Sequence, residues 1–284
     1  RLTRRSSLIT SQLIEAVGRS GDDSSVFLWM SRAILTNEAM QSAYIDALAK
    51  ATARPGAAAG LAPYIGSNPS WSDRYWRAVA NVPASLENAA ELRALVAGAP
   101  WRQTEISDAD RRLLIRLLDY GHFDTARRMA TAISRNGLKP AVDGAVVNAA
   151  FSKRSILPPI DWEVTSSGNM GATVDSERQQ LVISAIAGAR GYAARQLMLL
   201  TPGTYEMEWR LSADGSLEND ALTARVGCAE KASTHPTYAV NLRDGHRRVL
   251  LTIQNSDCRW YWLSINVNVP DGSEGIDAQL RRLN

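Results

Sequence analysis

Histidine, cysteine and phenylalanine are scarce in this chain, at three, two and three of 284 residues. Three histidines and two cysteines are too thin a set to favour a protein-built zinc site, so no metal is expected. No apolar run approaches the roughly 18 uninterrupted residues of a membrane-spanning helix. The chain begins at Arg1 rather than Met, which leaves open a signal or membrane anchor outside the given chain. Neither charge is in large excess. Lys and Arg total 32 and Asp and Glu 29, and the net charge of +3 is too even to point to nucleic acid or an acidic membrane face. What is present suffices for a folded core, since 45% hydrophobic and 21% charged residues exclude general disorder. The length fits one large domain or two ordinary ones. Eight tryptophans against three phenylalanines is an unusual ratio, and it directs attention to where the indoles fall.

The apolar period changes along the chain. Up to about Asn136 it is helical. Tyr44, Ala47, Leu48 and Ala51 share one face, Leu92, Leu95 and Val96 a second, and Leu113, Leu114, Leu117 and Leu118 a third. Ser107 with Asp110, and Ser70 with Asp73, read as capping boxes. Pro55, Pro63, Pro69, Pro83 and Pro100 fall where helices are expected to end. Seven or eight short helices follow, arranged as hairpins that stack. In residues 117–133 Gly121 makes the turn, and a second apolar face runs Phe123, Ala126, Ala130, Ile133. This G-x-[YF]-x-x-A core resembles the turn and second helix of a tetratricopeptide repeat. Earlier pairs lack the signature, and an irregular all-helical domain is the alternative.

Residues 137–150 hold Gly137, Pro140 and Gly144 and no strong period, as a junction would. From Phe151 onward the pattern is that of strands. Residues 203–213 alternate, with Tyr205, Met207, Trp209 and Leu211 against Glu206, Glu208 and Arg210. In residues 258–269, Tyr261, Leu263, Ile265, Val267 and Val269 oppose Trp260, Trp262, Ser264, Asn266 and Asn268. About ten strands with no intervening helix make an antiparallel sandwich the expectation, with a jelly roll as its form. The fold class is therefore α+β in separate domains: helical over 1–136, a junction over 137–150, and a sandwich over 151–284.

The β half carries a second resemblance. Gln196 followed by Leu200-Thr201-Pro202-Gly203-Thr204-Tyr205 is similar to the Q-x-x-L-x-P-G-x-Y element of jelly-roll carbohydrate-binding modules. Asn148, Phe151 and Pro158-Pro159-Ile160-Asp161-Trp162 resemble the N-x-x-F…P-P-F-D-W opening of bacterial proteins that couple degenerate tetratricopeptide repeats to such a sandwich. Ile160 stands where Phe is usual. The likeness spans roughly Trp71 to Asn284. It implies an accessory factor of polysaccharide synthesis or export, although fold analogy is a weak warrant for function. In the related modules, a cysteine pair at such strand ends is bridged. The resemblance thus implies a Cys228–Cys258 disulfide, and with it a periplasmic or envelope location facing an oxidising compartment. Two buried free thiols in a cytosolic protein are the alternative.

Candidate site residues follow from alternation. Trp260 and Trp262 oppose the apolar set of their strand, and Glu206, Glu208 and Arg210 oppose theirs. If these strands share a sheet, the five line one polar face suited to a sugar, with rings for stacking and charged groups for hydroxyls. Packing of the tryptophans under a loop or against the helical half is the alternative. Gln196 has the parity of Met198 and Leu200, which leaves its direction open. Glu206 and Glu208 sit about 7 Å apart by strand geometry, a spacing that paired hydrolase carboxylates could use. Arg210 beside them favours charge pairing instead. His122, His235 and His246 read as solvated. The Gly188-x-x-Gly191 stretch lacks the Lys-Ser/Thr of a phosphate loop, and no cofactor is expected. The expectation is a non-catalytic accessory protein of bacterial surface polysaccharide assembly or export. Other envelope proteins and polysaccharide are its expected partners, and nucleic acid is not. A structural subunit of a larger envelope complex, with no sugar binding, is the alternative.

Overall fold

A computed structural model describes residues 7–20, 23–134, 142–214, 220–231, 237–254 and 258–283. His235 and residues 137–141 of the expected junction lie outside the described residues. The chain divides into two compact units, Arg1–Pro140 and Ala141–Asn284.

The described part of the first unit holds eight α-helices: α1 (Ser7–Ser20), α2 (Asp23–Thr36), α3 (Gln41–Ala51), α4 (Ala57–Gly66), α5 (Ser72–Val79), α6 (Leu86–Ala97), α7 (Asp108–Asp119) and α8 (Phe123–Ile133). Packing joins every second helix. Helix α6 lies between α4 and α8, and α5 lies between α3 and α7. Small residues allow the close approach, with Ala57, Ala58, Ala89, Ala90, Ala126 and Ala130 all buried. Ser107 begins α7 with a full capping box: its Oγ accepts from Asp110 N at 3.2 Å, and Asp110 Oδ2 accepts from Ser107 N at 2.8 Å. Gly121 takes a φ of 79° to end α7. That left-handed conformation lets His122 N reach Leu117 O at 2.8 Å.

Two of the expected boundaries differ. Helix α5 starts at Ser72 behind Trp71, so Ser70 and Asp73 do not form a capping box; the Ser72 hydroxyl donates instead to Asn68 Oδ1 at 3.0 Å. Pro63 lies inside α4. Its ring removes one backbone donor, but Leu61, Ala62 and Ile65 on either side are buried, and their packing carries the helix past it.

One polar staple fixes the α6–α7 connection. Arg93 is buried and donates from Nε to Asp110 Oδ1 at 2.6 Å. Its other nitrogens donate to the carbonyls of Gln103 at 2.7 Å and Glu105 at 2.9 Å. One guanidinium thus ties together α6, the loop and the first turn of α7.

The second unit is all β in its regular elements: β1 (Glu163–Val164), β2 (Met170–Asp175), β3 (Gln180–Ala185), β4 (Arg190–Leu199), β5 (Gly203–Asp214), β6 (Leu222–Cys228), β7 (Tyr238–Asn241), β8 (Gly245–Ile253), β9 (Trp260–Asn268) and β10 (Ile276–Leu283). They form two five-stranded sheets, ordered β1-β4-β9-β6-β7 and β2-β3-β10-β5-β8, with antiparallel pairing throughout. The core lies between them. Strand β9 contributes Tyr261, Leu263, Ile265 and Val267, and β5 contributes Met207, Trp209 and Leu211. Phe151 and Trp162 close one end with ring centroids 5.3 Å apart.

Residues 142–150 are laid onto this sandwich. Gly144 N donates to Leu199 O at 3.0 Å, and Leu283 N donates to Ala149 O at 3.0 Å. The Asp143 carboxylate accepts from Thr201 N at 2.8 Å and from the Tyr205 hydroxyl at 2.9 Å. Slight burial pushes the Asp143 carboxyl up, but the hydrogen bonds from Thr201, Tyr205 and Gly144 outweigh it and hold the group below the usual carboxylate range. Cys228 and Cys258 are bridged, with Cα atoms 6.0 Å apart and a sequence separation of 30. In the chain-entropy picture such a closure contributes roughly 3–4 kcal/mol.

The Arg93 staple generates a test. Asp110→Ala strands a buried guanidinium, and the first unit should lose about 3–5 kcal/mol of stability. The measurement is urea unfolding of the full chain, followed by helical circular dichroism at 222 nm. An unchanged helical midpoint would show that the loop re-solvates Arg93 freely.

Candidate functional site

Every position in this site is set by alternation along strands. Strand β9 is central to its sheet, pairing with β4 on one side and β6 on the other. Its inward residues fill the core, so Trp260, Trp262, Ser264, Asn266 and Asn268 face away from it. Partners at paired positions share that side. From β4 these are Leu199, Leu197, Arg195, Tyr192 and Arg190; from β6 they are Thr223, Arg225 and Gly227. Glu163 joins from β1 opposite Arg195, and Asn241 and Ala239 join from β7.

The resulting face has two ends. At one end Trp260, Leu197 and Leu199 make an apolar block, in which Trp260 is 3% exposed. Its Nε1 has no hydrogen-bond partner among the described residues. Leu197 N donates to Pro159 O at 2.8 Å, which brings the buried stretch at 157–160 to the edge of β4. At the other end the Arg195 guanidinium lies 4.6 Å from the Tyr192 ring centroid and 4.7 Å from that of Trp262. Glu163 pairs with Arg195 Nε and fixes the guanidinium between the two rings. Beyond them, Asn266 Nδ2 donates to Ser264 Oγ at 2.8 Å, and Asn268 Nδ2 donates to Asp220 Oδ2 at 3.0 Å.

A β-bulge makes this cluster possible. The register slips between Tyr192 and Ala194. Tyr192 and Arg195 are three residues apart and would face opposite ways on a regular strand. One extra residue turns both outward, toward Asn266 and Ser264 respectively.

The structure separates the expected site residues. Glu206, Glu208 and Arg210 lie on β5, in the other sheet, and face away from the core on the opposite side of the sandwich. They share no face with Trp260 and Trp262. Trp260 turns away from the core, as alternation requires, but it is covered and offers no ring to a ligand. Gln196 pairs with Leu263 and points inward. It is fully buried, donating from Nε2 to Val147 O at 2.9 Å and accepting from Val147 N at 2.7 Å. It anchors the chain segment over the sandwich and contacts no ligand face. Of the six candidates, Trp262 alone is partly exposed on an aromatic and polar surface.

The carboxylates of β5 are held in ion pairs. Glu208 Oε1 lies 2.7 Å from His246 Nε2, and Arg248 Nε and Arg282 Nε stand 3.8 and 3.9 Å from its oxygens. Glu206 lies 3.6 Å from Arg248. The His246 hydrogen bond, against slight opposition from burial and with help from the Arg282 and Arg248 charges, holds Glu208 below the usual carboxylate range. A general acid needs the reverse shift, so Glu208 is poorly set for that role in glycoside hydrolysis. His246 is thereby a hydrogen-bond partner of Glu208 rather than a free surface residue. His122 likewise lies 3.3 Å from Glu87. Among the described residues, Cys228, Glu230 and Cys258 group as metal ligands would, but the two sulfurs are bonded to each other.

No family model matches the chain, and no curated protein does. Among solved structures, one described as "CBM4 structure and function" is similar to it at 16% identity. That match covers 49% of this chain and 97% of the other, with a TM-score of 0.36.

Sequence reasoning missed Tyr192, Arg195, Glu163, Thr223 and Arg225. Thr223-Ala224-Arg225-Val226 alternates and was readable as outward polar residues. Tyr192 and Arg195 were not readable together, because a bulge leaves no mark in the period.

The Glu208 cluster predicts an acid limb in stability. Its folded-state value is lowered, so its contribution is full above the ordinary carboxylate range and drains away as pH falls through the depressed value. Glu208→Gln should lower the urea midpoint of the full chain at neutral pH. It should also flatten the midpoint's decline below about pH 4. Parallel acid limbs in the parent and the variant would mean that Glu208 does not couple to folding.

Proposed function

We propose that this chain is a non-catalytic glycan-binding accessory protein of bacterial surface polysaccharide assembly or export. In this reading the β unit is a jelly roll that holds glycan on the outer face of the β1-β4-β9-β6-β7 sheet. The helical unit is a set of stacked tetratricopeptide-like hairpins that docks other envelope proteins. No cofactor takes part.

The observation that carries the reading is the Tyr192–Arg195–Trp262 cluster beside Ser264 and Asn266. Sugars present flat C–H faces and a ring of hydroxyls. Partly exposed aromatic rings meet the first, and amides, hydroxyls and a fixed guanidinium meet the second. Trp262 and Tyr192 are both partly exposed, and with Arg195 between them they offer one joined surface. The disulfide supports an oxidising compartment such as the periplasm or cell envelope. No described helix is long and apolar enough to cross a membrane. The covered Trp260, at the apolar end of the same face, favours a second reading. Under it, this surface is a structural contact within a larger envelope assembly.

Calorimetric titration of the full chain against a panel of soluble acidic and neutral polysaccharides separates the two readings. Trp262→Ala should weaken glycan binding by about 1–3 kcal/mol and leave the unfolding midpoint nearly unchanged. Glu206→Gln, on the opposite sheet, should leave binding intact. If Trp262→Ala unfolds the β unit, or if no polysaccharide in the panel binds the parent chain, the structural reading holds instead.

A further inference from the structure

Resting on that glycan-binding reading, we propose that the ligand is an anionic polysaccharide whose uronate carboxylates are received by the arginines of this face. The outward strand positions of the sheet carry Arg190, Arg195 and Arg225 against a single acid, Glu163. Glu163 is already committed to Arg195. Arg190 and Arg225 are exposed and have neither an ion pair nor a hydrogen bond among the described residues. Two uncompensated guanidinium groups therefore flank a third that is locked between two rings.

The opposite sheet carries two acids, Glu206 and Glu208, on the outward positions of β5. There Arg248, Arg282 and His246 gather round Glu208, and Glu206 takes a second contact from Arg248. Arg248 and Arg282 are thus answered within the protein, although Arg210 on the same face has no ion pair among the described residues. On the face of Trp262 Glu163 answers Arg195, and Arg190 and Arg225 are left to an outside anion or to water.

The spacing fits a carboxylated chain. Arg195, Ser264 and Arg225 occupy one cross-strand row, so the two arginines are about 10 Å apart at the backbone, two strand separations. The floor between and beside them is low. Gly227 is the neighbour of Trp262, and Ala239 is the neighbour of Arg225. An extended sugar chain can thus lie across β6 with a ring against Trp262 and carboxylates reaching the arginines. A guanidinium fork matches a carboxylate through two parallel hydrogen bonds, which an ammonium or an amide cannot reproduce. A neutral glycan would leave that capacity unused.

The test is titration of the full chain with oligogalacturonate, with a neutral cello-oligosaccharide of equal length, and with polyglutamate as a polyanion that is no sugar. Oligogalacturonate should bind and the other two should bind far more weakly. Its affinity should fall with added salt, because exposed charges are screened over about 10 Å at 0.1 M. Arg225→Gln should cost about tenfold for oligogalacturonate, the scale of a hydrogen bond to a charged group, with no change in unfolding midpoint. Should the neutral oligosaccharide bind as tightly, with Arg225→Gln silent, the anionic preference is wrong while the glycan reading survives. Should polyglutamate match oligogalacturonate, charge alone acts here and the inference fails. If neither sugar binds, the glycan reading itself falls.

Discussion

Strand β9 has to serve two surfaces at once, because successive side chains on a strand cannot share a side. Its inward set, Tyr261, Leu263, Ile265 and Val267, supplies one wall of the sandwich core. That burial dictates the direction of Trp262, Ser264 and Asn266. The candidate face is therefore the reverse side of the core. Any slip of register that exposed Leu263 would also bury Trp262, so folding selects against loss of the site. Because β9 is flanked on both edges, its outward row also gathers neighbours from β4 and β6. A strand at a sheet edge could collect them from one side only.

Buried polar groups fix how irregular segments attach to these regular elements. Gln196 points into the unit, where an unpaired amide would be costly. Its two bonds to Val147 satisfy both ends of the amide and hold residues 142–150 against β4. Arg93 does the same in the helical unit, with carbonyls of the α6–α7 loop as its partners. In both places one long polar side chain replaces the ladder that a loop lacks. Neither residue contacts the candidate face, and neither could be moved outward without stranding backbone groups.

The sequence was legible where a local rule decides the outcome. The period-2 runs at 203–213 and 258–269 became β5 and β9, and the capping box at Ser107 and the turn at Gly121 formed as local chemistry requires. It was illegible where distant partners decide. Alternation set Glu208 and Trp262 outward on their strands but could not say that those strands belong to different sheets. Trp260 and Trp262 have identical parity, yet one is buried and the other partly exposed, a difference that alternation does not encode. Pro63 looked like a helix end, yet the burial of its neighbours outweighed one lost donor. The parity of Gln196 with Met198 and Leu200 left its direction open, and neither its inward turn nor its partner 49 positions upstream was readable.

The bulge in β4 reconciles this stretch of sequence with a face that carries both of its long side chains. Were β4 a regular strand across Tyr192-Ala193-Ala194-Arg195, one of the two long side chains would have to enter the core. A buried guanidinium there would need partners that an interior of Leu263, Ile265 and Ala224 cannot offer. A phenol turned inward would meet no space between sheets already filled. With the extra residue, Ala193 and Ala194 are both buried, and both long side chains point outward. The guanidinium then finds a ring on each side and Glu163 behind it. Two small side chains in succession are what this kink buries. The run Tyr192-Ala193-Ala194-Arg195 thus encodes the cluster through what it leaves out of the core as much as through what it presents to solvent.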